Sequence, residues 1–435
     1  MNVERPRNEN AEMESHHELA AIAAAHGSPF YVFHGDVFAA NLRELRHAFE
    51  RRYPRLLIGY SYKTNYLPEL CAMARDLGAY AEVVSRLEYD LALAIGHEPS
   101  TIIFNGPLKT AEDLELALEG GSVVNLDGFS ELGHVIRYAR RERGRPVPIG
   151  LRINIDLCAD DGRSHIQEGL ARGRFGFPES DLDRVDALLA DAPGVKVHSL
   201  HGHTSSSSRA AWIYERIARS LVRLAEHRYP RCEYINLGGG MYGKLPAALG
   251  VFAAPTFDDY AEAACGPLSA SDWVRERKPY LVLEPGVAVA ANALSYVTRI
   301  VDVKQIGEQV LALVDGSAMH IKPSLHRKNQ PFELVTTPGA ARQEQVVSVT
   351  GATCMEKDYL LCEVPMAPAP GDFLCISHVG AYSMSMSPPF ILPPPAIVSR
   401  QGARVRVLRR RYRFDDVFSA YAGANALASP PRDEP

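Results

Sequence analysis

Between Leu57 and Glu284 the chain repeats one pattern, a short apolar segment followed by a stretch with apolar residues at three- and four-residue spacing. The apolar segments end at Tyr62, Val84, Phe104, Leu126, Ile155, His201, Leu237 and Glu284, and each reads as a strand. The intervening stretches, residues 68–76, 86–95, 111–118, 130–141, 181–189, 211–226 and 257–264, read as helices; Leu114, Ala117 and Leu118 show the spacing. Eight strands alternating with helices over about 250 residues is the count and size of a TIM (β/α)8 barrel. An open doubly wound sheet, usually of fewer strands, is the alternative.

After Asn292 the texture changes. Residues 294–303, 309–314, 332–336, 345–350, 372–377 and 403–408 read as strands separated by turns and prolines, with no convincing helix before 414–421. This predicts a second, all-β domain. The expected organisation is an N-terminal segment 1–35, whose strand at 30–33 joins the β domain, a barrel over 36–290, the β domain over 291–425 and a loose tail from 426 to 435. Residues 1–15 are polar and read as loose.

A chain of 435 residues is too long for one core. Its net charge of −5 gives no electrostatic case for nucleic acid or an anionic membrane surface. The longest apolar runs, such as 19–25, fall far short of a membrane span, and the polar N-terminus lacks the order of a signal peptide. Seven scattered cysteines with no C-x-x-C fit a reducing compartment, so the expectation is a cytoplasmic protein. His16-His17 invites a metal, but no cysteine or carboxylate pattern completes a site.

In such a barrel the active site lies at the C-terminal ends of the strands. There the chain places Lys63, Glu82, Asn105, Arg152, Asn154, His201, His203, Gly238-Gly239-Gly240 and Glu284. Lys63 follows an apolar, aromatic run, where desolvation favours a neutral amine able to attack an aldehyde. A strand-end lysine reaching for solvent is the plainer reading. The run from Leu237 to Gly243 satisfies G-x-G-x-x-G, but Pro246, Gly250 and Pro255 interrupt the helix a dinucleotide site requires. Three glycines at the seventh strand end suit a single phosphate, or serve only as a turn. His201 and His203 offer a flat ring to a pyridine, or two ligands to a metal with no obvious third. Glu284 ends an apolar strand and needs a partner, either a protonated pyridine nitrogen or an arginine such as Arg152.

The motifs Tyr60-Ser-Tyr-Lys-Thr-Asn65, Glu82-Val-Val-Ser-Arg-Leu-Glu88, Phe104-Asn-Gly-Pro-Leu-Lys109 and Leu151-Arg-Ile-Asn154 follow one another in order. Arg174-Phe-Gly176, His201-Gly-His203, Gly238-Gly-Gly240 and Glu284-Pro-Gly286 continue the series. It ends with Gly351-Ala-Thr-Cys-Met-Glu-Lys-Asp358 and Gly380-Ala-Tyr382. In this order they resemble the fold-type III pyridoxal 5'-phosphate (PLP) decarboxylases, which act on diaminopimelate, ornithine and arginine and share an alanine racemase-like fold. The resemblance runs from about Pro29 to Tyr421.

It implies that Lys63 holds PLP as a Schiff base, that His203 stacks on the ring and that Glu284 faces the pyridine nitrogen. Ser206, Gly239, Gly240 and Tyr382 would bind the phosphate, with Glu82 and Arg152 also in the cofactor pocket. Cys354 would protonate the carbon left when CO2 departs; read without the family it is one more buried thiol. In the family that loop comes from the partner subunit, so a homodimer with shared sites is implied.

Departures from the diaminopimelate enzymes bear on the substrate. Their arginine after Glu-Pro-Gly is Val287 here, their Arg-Pro-x-Leu-Tyr run is Lys322-Pro-Ser-Leu-His326, and their glutamate after the cysteine is Met355. Val287, Lys322, His326, Met355 and Asp358 are therefore the expected substrate positions. The changes point away from diaminopimelate toward a larger or less charged amino acid or a conjugate, as in natural-product or siderophore synthesis. A PLP racemase or epimerase and a catalytically silent regulator of the same fold are the competing readings.

Overall fold

The computed structural model describes residues 15–142, 145–157, 166, 170, 172–204, 206, 208–246, 249, 254–325, 328–339, 342–401 and 404–421. The described residues of Phe38–Leu245 and Ala253–Val289 form one compact unit; those of Met1–Val37, Pro246–Phe252 and Ala290–Pro435 form another.

The strands, in chain order, begin with β1 (Phe30–Phe33), β2 (Leu56–Ser61), β3 (Tyr80–Val83), β4 (Ile102–Phe104) and β5 (Val123–Leu126). They continue with β6 (Val147–Asn154), the two-residue β7 (Phe177–Pro178), β8 (Val195–His201), β9 (Tyr234–Asn236) and β10 (Tyr280–Leu283). Strands β2 to β6 and β8 to β10 pair in parallel in the order β5-β4-β3-β2-β10-β9-β8-β6, and a β5–β6 pairing closes the ring. The closed eight-stranded barrel excludes the open sheet, and every strand expected from the alternation is one of its staves. Strand β7 pairs only with β6. Leu57, Ile103, Val123 and Val282 pack into one buried cluster.

Most of the expected helices end within two residues of the structural ones, but Phe257–Ala270 runs six residues beyond its expected end and carries Pro267 inside it. Five helices were not anticipated: His16–His26, Gly35–Glu50, Asp272–Arg277 and the one-turn Val287–Ala290 and Ala318–Ile321. The first buries only Leu19 and Ile22, so its apolar face is too narrow to read; its signal is the Ser15/Glu18 capping box. The second did carry a readable stripe, Phe38, Leu42, Leu45 and Phe49, all buried.

The other unit is a nine-stranded sheet. Its strands are β1, β11 (Leu294–Ile306), β12 (Gln309–Val314), β13 (Phe332–Val335), β14 (Gln345–Thr350), β15 (Tyr359–Met366), β16 (Phe373–Ile376), β17 (Ala396–Gln401) and β18 (Arg404–Arg409). Strand β1 lies between β11, antiparallel, and β17, parallel, so the N-terminal strand is a central member of this sheet. Strands β15 and β17 were not anticipated. Pro365 falls inside β15, and prolines 393–395 immediately precede β17, which masks the alternation in both. A single-turn helix, Ala318–Ile321, is N-capped by Ser317, and a short helix, Phe414–Phe418, lies near the end of the chain. Among the described residues no helix is long and apolar enough to cross a membrane.

Candidate active site

Strand β2 ends at Ser61 and turns through the 3-10 segment Tyr62–Thr64, which brings Lys63 to the barrel mouth. The register of β2 against β3 pairs Ser61 with Glu82. The buried Glu82 Oε2 accepts from Ser61 Oγ at 2.6 Å and from Lys63 Nζ at 2.6 Å. The lysine is thus met by a carboxylate where the sequence suggested an amine in apolar surroundings. Gly286 is fixed by the same turn, since a Cβ there would stand 2.0 Å from Thr64 Oγ1.

Buried amides carry the network inward. Asn105, just past β4, donates from Nδ2 to Glu82 Oε1 at 3.0 Å and to Glu284 Oε1 at 2.7 Å. Asn236, the last residue of β9, donates to the same Glu284 oxygen at 2.7 Å. Asn125 Nδ2 donates to Asn105 Oδ1 at 2.8 Å, and Ser199 Oγ to Asn125 Oδ1 at 2.9 Å. These last contacts need Gly150, where a Cβ would lie 1.8 Å from Asn125 Oδ1. Glu284 is 3% exposed, and its other oxygen stands 3.2 Å from His201 Nε2. Burial alone would raise the Glu284 pKa; His201 and Lys63 outweigh it and hold the carboxyl well below the usual range.

The partner weighed for Glu284 in the sequence, Arg152, is engaged elsewhere. Its guanidinium donates to Asp127 Oδ1 at 3.3 Å and to the His203 carbonyl at 3.1 Å. His203 lies near-parallel to His201, with ring centroids 6.2 Å apart. Burial, and then the Arg152 and Lys63 cations, push its pKa well below that of free imidazole, so His203 is a neutral flat ring at the mouth.

The glycines at 238–240 serve close approach. Gly238 and Gly240 adopt left-handed φ of +71° and +94°, and a Cβ on Gly238 would sit 2.4 Å from His203 Cβ. The Gly239 N–H, expected on a phosphate, donates instead to His203 Nδ1 at 2.9 Å. Ser206 Oγ accepts from the Arg209 N–H at 2.8 Å, leaving its own hydrogen to donate.

The second unit holds the remaining expected residues. Cys354 is an exposed thiol, not a buried one. Tyr382 is 37% exposed in a left-handed turn. Lys322 is 3% exposed, and among the described residues its Nζ reaches only the Lys328 carbonyl, at 3.4 Å. The Met355 N–H donates to Thr353 Oγ1 at 3.4 Å. Asp358, expected to face a substrate, is buried and accepts from Ser317 Oγ, Ala318 N, Thr353 N and Thr353 Oγ1. Val287 opens the short helix Val287–Ala290 in the barrel unit, and His326 lies outside the described residues.

The amides Asn125 and Asn236 and the carboxylate Asp127 were not anticipated; their signal was a polar residue in or just after an otherwise apolar strand. The barrel mouth fits PLP: an amine for an aldehyde, a neutral ring for stacking and a buried ionised carboxylate with one oxygen outside the amide pairs. A barrel of this kind with such a set defines a PLP-dependent enzyme.

Comparison with known proteins agrees. Residues 39–291 match the family described as pyridoxal-dependent decarboxylase, pyridoxal binding domain. A probable chloroplastic diaminopimelate decarboxylase from Oryza sativa subsp. japonica is 32% identical over 93% of this chain and 82% of its own length. An L-glutamyl-[BtrI acyl-carrier protein] decarboxylase from Niallia circulans is 28% identical over 92% of this chain and 95% of its own. In fold, the chain is similar to the crystal structure of a diaminopimelate decarboxylase from M. jannaschii in complex with L-lysine, with a TM-score of 0.81, 24% identity, and 92% and 93% coverage. The chain belongs to the PLP-dependent decarboxylases; it is an amino-acid carboxy-lyase whose cofactor is pyridoxal 5'-phosphate.

Proposed function

We propose that the chain decarboxylates an α-amino acid or an amino-acid conjugate at the barrel mouth, with Lys63 as the residue that carries the cofactor, and that free diaminopimelate is not its substrate. The observation that carries the reading is the continuous network Lys63–Glu82–Asn105–Glu284, buried beyond the half-exposed lysine, which ties the amine to the carboxylate meant for the pyridine nitrogen. When bound, PLP supplies a protonated ring that accepts the electrons left by the departing carboxylate. His203 would offer that ring a neutral plane to pack on. Glu284, kept ionised, would hold the ring nitrogen in its charged form. The Ser206 hydroxyl and the Gly239-Gly240 turn would hold the phosphate. Cys354 holds the proton that is delivered to the α-carbon, and its exposure in this chain fits a thiol that works in a partner's site, hence a homodimer with shared sites. None of the six described cysteines is in a disulfide, which supports a reducing, cytoplasmic setting.

On the substrate side, Val287 and Met355 remove polar grip, while Lys322 leaves a buried ammonium with a single carbonyl partner among the described residues. A relative that acts on an amino acid joined to a carrier protein supports the conjugate reading. A screen of free and thioester- or amide-linked amino acids for CO2 release, with Lys63→Ala as the blank, tests this. Borohydride reduction should fix the pyridoxyl group on Lys63. Turnover of meso-diaminopimelate at a rate matching the best amino acid would refute the substrate assignment.

A further inference from the structure

We propose that His201 is a positioning residue for Glu284: its imidazole holds the one carboxylate oxygen that the barrel amides leave, and so sets the grip on the cofactor's ring nitrogen. The inference rests on the PLP reading above and concerns a residue that reading leaves idle. His201 closes β8 and is 1% exposed. Among the described residues neither of its ring nitrogens has an aligned hydrogen bond, a costly state for a buried polar group. Nε2 nevertheless stands 3.2 Å from Glu284 Oε2, within ion-pair reach though poorly aligned.

The rest of the carboxylate's surroundings leave that oxygen to His201. Asn105 and Asn236 both donate to Oε1. Lys63, from the turn after β2, donates to Glu82 of β3, and Arg152 of β6 is directed at Asp127 and at the His203 carbonyl. His203, past β8, accepts from Gly239 and presents its ring face to His201. The plain alternative is packing: a ring at 201 fills the space under His203, and a phenyl group would do as well. The two accounts part on the nitrogen. Burial raises the Glu284 pKa and His201 is foremost among the groups that reverse it, so an apolar ring at 201 lets the carboxyl take up a proton at higher pH.

The test measures cofactor affinity of the apo-protein by equilibrium dialysis across a pH series. The ligands are PLP and its deaza analogue, in which CH replaces the ring nitrogen. His201→Phe should bind PLP about ten- to a hundredfold more weakly than wild type, the span of one lost charge-assisted hydrogen bond, with the deficit growing as pH falls. It should bind the analogue as wild type does. His201→Gln, whose amide can donate to Oε2, should recover most of the PLP affinity. His201→Leu repeats the test should the phenyl ring not pack. Equal losses for both ligands, or no loss for PLP, would overturn the proposal and leave His201 a packing residue. Wild type that takes up neither ligand would overturn the PLP reading itself, and this inference with it.

Discussion

Two buried carboxylates, one in each unit, have opposite surroundings. In the sheet unit, Asp358 Oδ1 accepts from Ser317 Oγ at 3.1 Å and Ala318 N at 2.7 Å, and Oδ2 from Thr353 N at 3.1 Å and Thr353 Oγ1 at 2.5 Å. The loop folds so tightly on it that a Cβ at Gly351 would lie 2.3 Å away. In the barrel, Glu284 has two amides on one oxygen and an unaligned imidazole on the other. The histidines repeat the contrast. His320 in the sheet unit meets Tyr296 OH at Nδ1 and is a neutral core residue with its pKa pushed down to about 4, burial being the main cause. His201 in the barrel has no aligned partner among the described residues. A saturated buried polar group stabilises a fold; one with an open valence is held in readiness for a ligand.

Exchanging each carboxylate should therefore break different things. Glu284→Gln keeps the shape and one amide-accepting oxygen but removes the charge, and decarboxylation should fall by about a thousandfold or more with little change in thermal midpoint. Assay of CO2 release beside a melting curve reads both. Asp358→Ala should do the reverse. It strands the donors of Ser317, Ala318 and Thr353 inside the sheet unit and should cost about 3 kcal/mol in denaturant unfolding, with the folded fraction keeping its activity. If Asp358→Ala raised KM at full stability, the residue would return to the substrate site and the contrast would fail. The thiol offers the smallest stability change of the three. Cys354→Ser is exposed and should alter the unfolding free energy by less than about 0.5 kcal/mol while slowing proton delivery to product.

The same contrast explains what the sequence disclosed. Strand ends are marked by a shift from apolar to polar residues, so Lys63, His203 and Glu284 could be found one at a time, and the eightfold alternation fixed which end of the barrel they share. Partnerships could not be found that way. Glu82 meets Lys63 because the β2–β3 register sets Ser61 beside Glu82, and register is a property of the closed sheet. Asn236 reaches Glu284 across 48 residues, and Gly239 turns its amide to His203 across 36. Asp358 lies in a stretch resembling a functional loop, and its partners Ser317 and Ala318 arrive from 41 and 40 residues upstream. The prolines beside β15 and β17 hid two sheet strands for a local reason, because they interrupt the alternation that marks a strand.

Glu88 is the case that tests whether an incompletely satisfied carboxylate always signals reactivity. It lies in the first turn of the helix Arg86–Ala94, and its Oε2 accepts from the Val84 N–H at 2.7 Å. Burial pushes its pKa up to about 7, and the nearby Glu82 charge adds to the rise, against the Lys63 cation. The folded protein therefore keeps a proton on Glu88 that the unfolded chain releases near the ordinary glutamate value. The resulting stability is full below the unfolded pKa of about 4.3 and is lost as pH rises through about 7. Glu88→Gln imitates the protonated form at every pH and its amide oxygen can still accept from Val84. Denaturant unfolding at pH 4 should show wild type and variant nearly equal, while at pH 8 the variant should be more stable by about 3 kcal/mol. Activity should change by less than about threefold, since Glu88 touches neither the amine nor Glu284 through any hydrogen bond described above. A variant without the gain at pH 8 would remove the linkage. One that lost activity tenfold or more would enlarge the reactive group by a residue, and the line between the barrel's working carboxylates and its structural ones would have to be redrawn around Glu82 and Glu88 together.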